Sequence, residues 1–348
     1  MTPAQVTALL QSVEQARSVF ASEATRFVNS AQIDKSLRAA IYFLRSAAAL
    51  LDAGVVPSAK NRVQSAATRL QGAYDLMQGT SSTSGGNSGS LATNTVPDIS
   101  EADARSGASY APNISPSSLA VVLGDGTLSA RTEQIGIEQL LRGQLPFELG
   151  GLSVVVGGRA SPLIYASPTR VIFVVPDLGT ASGRTEIIVT SSDGRVAYGT
   201  VTVANVAPGL FASGDRGSGA AVALGEVDSS FASAFDVETD SLLFGRHATR
   251  VTLFATGLSR AANSDPTNDV KLGDQLLVNV AESVSVEART QDGRVFQLPV
   301  EFAGSTLRPA LFDQVIVRLI PELRGAGTVE LTLVVAGQRS NGATINVR

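Results

Sequence analysis

A block of 33 residues occurs twice in this chain. VIFVVPDLGTASGRTEIIVTSSDGRVAYGTVTV (Val171 to Val203) lies over VIVRLIPELRGAGTVELTLVVAGQRSNGATINV (Val315 to Val347). Val171 answers to Val315, Pro176 to Pro321, Gly183 to Gly327, Gly194 to Gly337 and Val203 to Val347, 143 to 145 residues apart. Both copies read as short strands, runs of Val, Ile and Thr punctuated by Gly, Pro and Asp, with Asp193-Gly194 as a hairpin turn. The same texture precedes each copy, in SLAVVL (Ser118 to Leu123), LSVVVGG and SPLIYA before the first and in RVTLFATGL (Arg250 to Leu258) and SVSVEARTQDGRVFQLPVEFAG before the second. Many short strands at intervals of about 8 to 12 residues predict a β-sandwich. Duplication predicts two in tandem, over 98–212 and, with a connecting segment, over 213–348.

The first 79 residues follow another period. Val6, Leu9, Leu10, Val13, Ala16, Phe20, Ala24 and Phe27 recur at three and four, as do Leu37, Ile41, Leu44, Ala48 and Leu51, and then Val63, Ala67, Leu70, Tyr74 and Met77. Three amphipathic helices are expected, with Asp34 and Ser58 as N-caps and Gly54 as a C-cap. Short connections make them antiparallel neighbours, either a three-helix bundle or a helical hairpin. A linker over 80–97, rich in Gly, Ser and Thr, has too few apolar groups to order itself. It would let a helical domain at 1–79 move independently unless assembly fixes it. The expected fold class is mainly β with an α N-terminal part.

Composition excludes several kinds of chemistry. Without Cys there are neither disulfides nor thiolate metal sites. The single His247 rules out multi-histidine metal sites and disfavours a Ser-His-Asp triad. A net charge of −4 offers no general attraction to nucleic acid. The longest apolar run, AAIYFLRSAAALL (Ala39 to Leu51), is too short to span a bilayer and contains Arg45. The opening MTPAQVTALLQ has no signal-peptide pattern, although a signal removed before this numbering is compatible with it.

Seven short stretches carry a resemblance. They are GASYAP (Gly107 to Pro112), LGGLSV (Leu149 to Val154), SPLIYASP (Ser161 to Pro168), VIFVVP (Val171 to Pro176), VAPGLF (Val206 to Phe211), FATGL (Phe254 to Leu258) and SNGATINV (Ser340 to Val347). In this order they resemble the C-terminal domain of secreted acidobacterial proteins of Solibacter type, a family similar to IPT/TIG immunoglobulin-like domains. The resemblance covers about residues 105–348 and departs at Val171 and Val174, which stand for polar residues of the family. It implies an immunoglobulin-like double module from the bacterial exterior. The family has no assigned chemistry, so it implies no functional residues.

Few residues are marked for chemistry. Gly214, Gly217 and Gly219 match neither dinucleotide-binding nor P-loop spacing and read as a flexible loop. Asp265, Asn268, Asp269 and Asp274 share a proline-containing loop and are candidate calcium ligands; Asp236, Glu238 and Asp240 alternate and are a second candidate group. Neither has EF-hand spacing. Tyr110, Tyr165 and Tyr198 are weighed as a sugar platform against plain core or rim residues, and the absence of Trp favours the latter. No catalytic residue and no cofactor other than calcium is assigned.

The expected function is therefore non-enzymatic: an extracellular or cell-surface structural protein. Its β modules would act as a rigid stalk or coat and its helical head as a docking or polymerisation element, within a filament for example. Leu9, Val13, Phe20, Leu44, Leu51 and Leu70 form the helical contact stripe or core. Partners would be further copies or other surface proteins, with edge strands open to β-augmentation. The alternative is a polysaccharide- or protein-binding adhesion module.

Overall fold

A computed structural model of the chain describes residues 2–78, 99–179, 182–226, 235–238, 247–258, 270–272, 275–277, 279–305 and 312–348. Three helices open it: α1 (Pro3–Glu23), α2 (Ser30–Asp52) and α3 (Val56–Met77). Thr2 caps α1: its hydroxyl accepts from the Gln5 N–H while the Gln5 side chain accepts from the Thr2 N–H, which satisfies two orphan donors at once. Gly54 ends α2 at φ +79°, a conformation that penalises a Cβ. The two expected N-caps are corrected. Asp34 lies inside α2, where it pairs with Arg17 at 2.8 Å and Arg38 at 3.0 Å. Ser58 is buried in the first turn of α3, which already begins at Val56 ahead of Pro57.

The rest is mainly β. Its first part comprises β1 (Ile99–Glu101), β2 (Asp103–Ser106), β3 (Asn113–Ile114), β4 (Leu119–Leu123), β5 (Glu133–Gln134), a short α4 (Ile137–Leu141), β6 (Leu152–Val156), β7 (Arg159–Ser161), β8 (Leu163–Ala166), β9 (Arg170–Val174), β10 (Gly183–Ser191) and β11 (Val196–Val203). One sheet has the order β1-β11-β10-β6-β7 with β3 beside β11, and a second the order β2-β4-β9-β8-β5. Val154, Val156, Ile187 and Val189 of the first share one core with Val122, Leu163, Val171 and Phe173 of the second.

The second part comprises β12 (Gly209–Leu210), β13 (Ala223–Glu226), β14 (Phe235–Glu238), β15 (His247–Ala248), β16 (Arg250–Thr256), β17 (Val270–Leu272), β18 (Gln275–Leu277), β19 (Val284–Thr290), β20 (Val295–Leu298), β21 (Val300–Ser305), β22 (Asp313–Arg318), β23 (Gly327–Val335), β24 (Gln338–Arg339) and β25 (Ala343–Val347). Its sheets run β12-β16-β22-β21 and β15-β14-β25-β23-β19-β20, with β13 beside β16, β24 beside β23, and β17 paired to β18 alone.

The repeat is also a repeat of topology. The order β4-β9-β8 returns as β16-β22-β21, and β11-β10-β6-β7 returns as β25-β23-β19-β20. Even a bulge is shared: the ladder slips between Leu163 and Tyr165 in β8 and between Val300 and Phe302 in β21. The Asp193-Gly194 turn joins β10 to β11 as expected, with the Ser191 hydroxyl donating to the Asp193 carboxylate.

The two parts meet through side chains. Leu119, Val174, Ile164 and Ile172 of the first pack with Phe211 and Phe312 of the second, whose rings stand edge to face at 5.5 Å. The Leu119 N–H donates to the Thr256 hydroxyl at 2.9 Å. Gly217 belongs to this junction: at φ +76°, a Cβ there would lie 2.5 Å from the Ala108 carbonyl oxygen. The glycine-rich loop is thus a close-packing element between the two parts.

One face separates the copies. Every residue from Leu152 to Val156 and from Ile187 to Ser191 is buried, whereas β19 and most of β23 alternate. Through the ladders, Val155 and Ile188 of the first copy correspond to Glu287 and Thr332 of the second. Strands apolar on both faces need a covering layer, and the helices supply it.

Candidate functional site

The covered face of the first sheet is the most elaborate polar and apolar joint in the described structure. Val155, Ala160, Ile188 and Val196 share one core with Tyr42, Phe43, Ala47, Leu50 and Ala59 from α2 and α3. The independent helical head expected from the linker is therefore corrected. The helices are seated on a sheet whose outer face is too apolar to stand in water. Alanines along α2 let its backbone approach the strands closely.

Arg62 of α3 is the centre of the joint. It is fully buried. Its Nε donates to the Thr190 hydroxyl at 2.9 Å, and its Nη2 lies 2.9 Å from the Gly151 carbonyl oxygen, 3.0 Å from the Ser153 hydroxyl and 3.2 Å from Glu148 Oε2. Ser46 Oγ and Thr190 Oγ1 are 2.8 Å apart, which extends the network into α2. Burial pushes the Arg62 guanidinium down, and the carboxylates of Glu148 and Asp193 oppose that shift. A buried cation is costly unless hydrogen-bonded acceptors surround it, and all five acceptors here, with the Thr190 carbonyl oxygen at 3.2 Å as the fifth, come from the β part.

Arg45 ties three elements. It bridges Glu186 of β10 at 2.5 Å and Glu14 of α1 at 2.8 Å. Tyr42 stacks on Tyr198 of β11 with ring centroids 4.6 Å apart. Arg69 of α3 donates to the Gly194 carbonyl oxygen at 2.8 Å, so the hairpin turn is also held.

Of the six residues assigned to the helical stripe, Val13, Leu44 and Leu51 lie in the joint's core, with Leu70 packed against it. Phe20 sits in a smaller cluster with Ile33, Leu37 and Ala73. Leu9 is the exposed one, at 39%. Tyr198 is taken up by its stack with Tyr42, while Tyr165 is on the other sheet with Arg170 over its ring at 5.2 Å, so the three tyrosines form no common platform. Asp265, Asn268, Asp269, Asp274 and Asp240 lie outside the described residues. Asp236 of β14 pairs across the ladder with His247 of β15. Among the described residues no three of His, Asp or Glu gather as metal ligands, and no helix is long and apolar enough to cross a membrane.

One concavity lies beside the smaller helical cluster and another at the edge of the joint. A groove of about 520 Å³ is lined by Ser12, Ala16, Val19 and Phe20 of α1 with Phe27 and Met77. A crevice of about 440 Å³ at the end of α2 is lined by Asp52, Phe147, Arg159 and Asp177 among others.

The arginine network escaped sequence reading because Arg62 sits on a helix that looks solvated on its polar side. A signal was nevertheless present. VVV (Val154 to Val156) and IIV (Ile187 to Val189) are unbroken apolar runs, whereas their repeat partners VEA (Val286 to Ala288) and LTL (Leu331 to Leu333) alternate.

No family model matches the chain, and no curated protein matches it. Among solved structures it is similar to SGBP-B of the mixed-linkage glucan utilization locus of Bacteroides ovatus, determined with a mixed-linkage heptasaccharide. The identity is 11%, the TM-score 0.24, and the match covers 67% of this chain and 42% of that one. The chain thus spans less than half the length of that protein, and a likeness at this level carries no functional argument.

Proposed function

We propose that this is a non-enzymatic structural protein of the bacterial exterior that works by assembly. In this reading the two β parts are tandem immunoglobulin-like sandwiches, over 98–212 and 213–348, and act as a stiff stalk or coat. The resemblance of residues 105–348 to the acidobacterial domain family supports the fold and the location. The observation that carries the assembly reading is the helical layer. The helices within residues 3–77 cover one sheet, and α1 carries an apolar groove lined by Ala16, Val19, Phe20, Phe27 and Met77 among others. The test is light scattering and electron microscopy of the purified chain. Polymers or defined oligomers are expected; a monodisperse monomer at the highest attainable concentration refutes the reading.

The alternative, a polysaccharide-binding adhesion module, has the crevice at the end of α2 in its favour. There the side chains of Asp52, Arg159 and Asp177 offer hydrogen-bonding groups beside the ring of Phe147. A glycan array decides it: binding lost in Phe147→Ala supports this reading, and a blank array removes it.

A further inference from the structure

We propose that the crevice at the end of α2 binds a small zwitterion of the α-amino acid class, its carboxylate on Arg159 and its ammonium on Asp52. Such a site adds to both readings and lies in the crevice that favours the second. Segments far apart in the chain build its walls: the last turn of α2 with Asp52, the turn into β7 with Gly158 and Arg159, and the stretch after β9 with Pro176 and Asp177. Phe147 adds its ring. A volume of about 440 Å³ falls in the range of small-molecule sites.

Charge selects the ligand. Among the described residues, neither the Arg159 guanidinium nor the Asp52 carboxylate has an ion-pair or hydrogen-bond partner, although they line one crevice. Elsewhere on the β surface an arginine with a carboxylate at hand takes it up: Arg131 pairs with Glu133, Arg195 with Asp193, Arg294 with Asp292 and Arg339 with Glu287. In the crevice each charge is placed by a different rigid element. Gly157 and Gly158, at φ +55° and +77°, form a two-residue turn that sets Arg159 across from Val156. Asp52 is the last residue of a 23-residue helix. The third charge is already engaged, since Asp177 Oδ1 accepts the Gly179 N–H at 2.9 Å.

Asp52 also runs against helix rules. The C-terminus of a helix is the negative end of its dipole, where a basic residue is favoured and a carboxylate is not. The last turn of α2 holds no basic residue. Carboxylate and dipole therefore add, and an ammonium group answers both. The planar fork of Arg159 matches a carboxylate. A ligand with one charge satisfies one of the two groups and a neutral sugar satisfies neither; a zwitterion satisfies both. Gly158 keeps the site accessible, because a Cβ there would meet nothing within 4 Å. Phe147, Ala160 and Pro176 offer apolar contact to the ligand's side chain, which favours an aliphatic amino acid over glycine.

NMR titration of the full chain tests this with L-leucine, with leucinamide, which lacks the carboxylate, and with isocaproate, which lacks the ammonium. A dissociation constant on the order of 1 mM is expected for L-leucine, since exposed charge pairs are individually weak. The amides of Ala53, Gly158 and Arg159 should shift to saturation, and each analogue should bind at least tenfold more weakly. The variants then cross. Asp52→Asn should weaken L-leucine at least tenfold and leave isocaproate unchanged, whereas Arg159→Gln should weaken L-leucine and leave leucinamide unchanged. Both side chains are exposed, so unchanged urea midpoints verify the fold. Equal affinity for the three probes, or no saturating shift in the crevice at about 20 mM L-leucine, overturns the proposal. A neutral oligosaccharide that shifts the same amides where L-leucine does not would overturn it while leaving the adhesion reading in place.

Discussion

Replacing Arg62 by alanine probes the joint between the helices and the first sheet. The substitution removes a fully buried side chain and leaves Ser153 Oγ without its donor, whereas the Gly151 carbonyl oxygen keeps the Ser192 N–H at 2.8 Å. Thr190 Oγ1 keeps Ser46, and Glu148, whose side chain is 24% exposed, regains water. One orphaned buried acceptor costs about 1–3 kcal/mol. The cavity adds to that, and release of the buried cation offsets part of it. A net loss of about 3 kcal/mol is expected. Arg62→Met fills the volume without the donors and should lose about half as much. Urea unfolding followed by circular dichroism measures both. The two side chains should also be coupled: in Ser153→Ala, which removes the orphaned acceptor, Arg62→Ala should cost about 1 kcal/mol less than in the unmodified chain. If Arg62→Ala changes stability by under about 0.5 kcal/mol, as an ordinary surface substitution does, the network does not hold the helices in place.

Other outcomes follow from the same structure. Asp313 at the foot of β22 is 5% exposed; burial pushes its carboxyl up to about 6, against the pull of the Leu258 and Gly257 N–H groups. Its pKa is thus higher folded than unfolded, so its contribution is full below about pH 4 and lost as pH rises to about 6, a fall of roughly 3 kcal/mol. Asp313→Asn should abolish that component of the pH dependence in urea titrations; an unchanged slope refutes it. Gly257 sits at φ +87° with the Ala207 carbonyl oxygen 2.0 Å from where a Cβ would lie. Gly257→Ala should therefore cost about 3 kcal/mol or more and lower the melting temperature accordingly. A chain lacking residues 1–94 exposes Val155, Ile188, Val196 and Tyr198 together, and should aggregate on size-exclusion chromatography; a soluble, monomeric β body would show that the helices are dispensable.

The period of the sequence carried most of the architecture. Three helices, the strand texture, the Asp193-Gly194 hairpin and the duplicated order could be read because each is a local or repeated pattern. Caps were less secure: Asp34 has the right chemistry for an N-cap but is used three-dimensionally, to hold Arg17 and Arg38. The joint was missed because it depends on which sheet face the helices cover, and glycine- and serine-rich connections say nothing about docking. Only the loss of alternation at Val155 and Ile188, against Glu287 and Thr332 in the other copy, marks the covered face.

Native-state hydrogen exchange across increasing urea tests the union of helices and sheet most directly. Amides of α2, α3, β6 and β10 should merge into one opening reaction, with the same free energy and the same denaturant dependence. If α2 and α3 exchange through a separate, lower-energy opening while β6 and β10 stay protected, the helices are a detachable domain and the account is wrong.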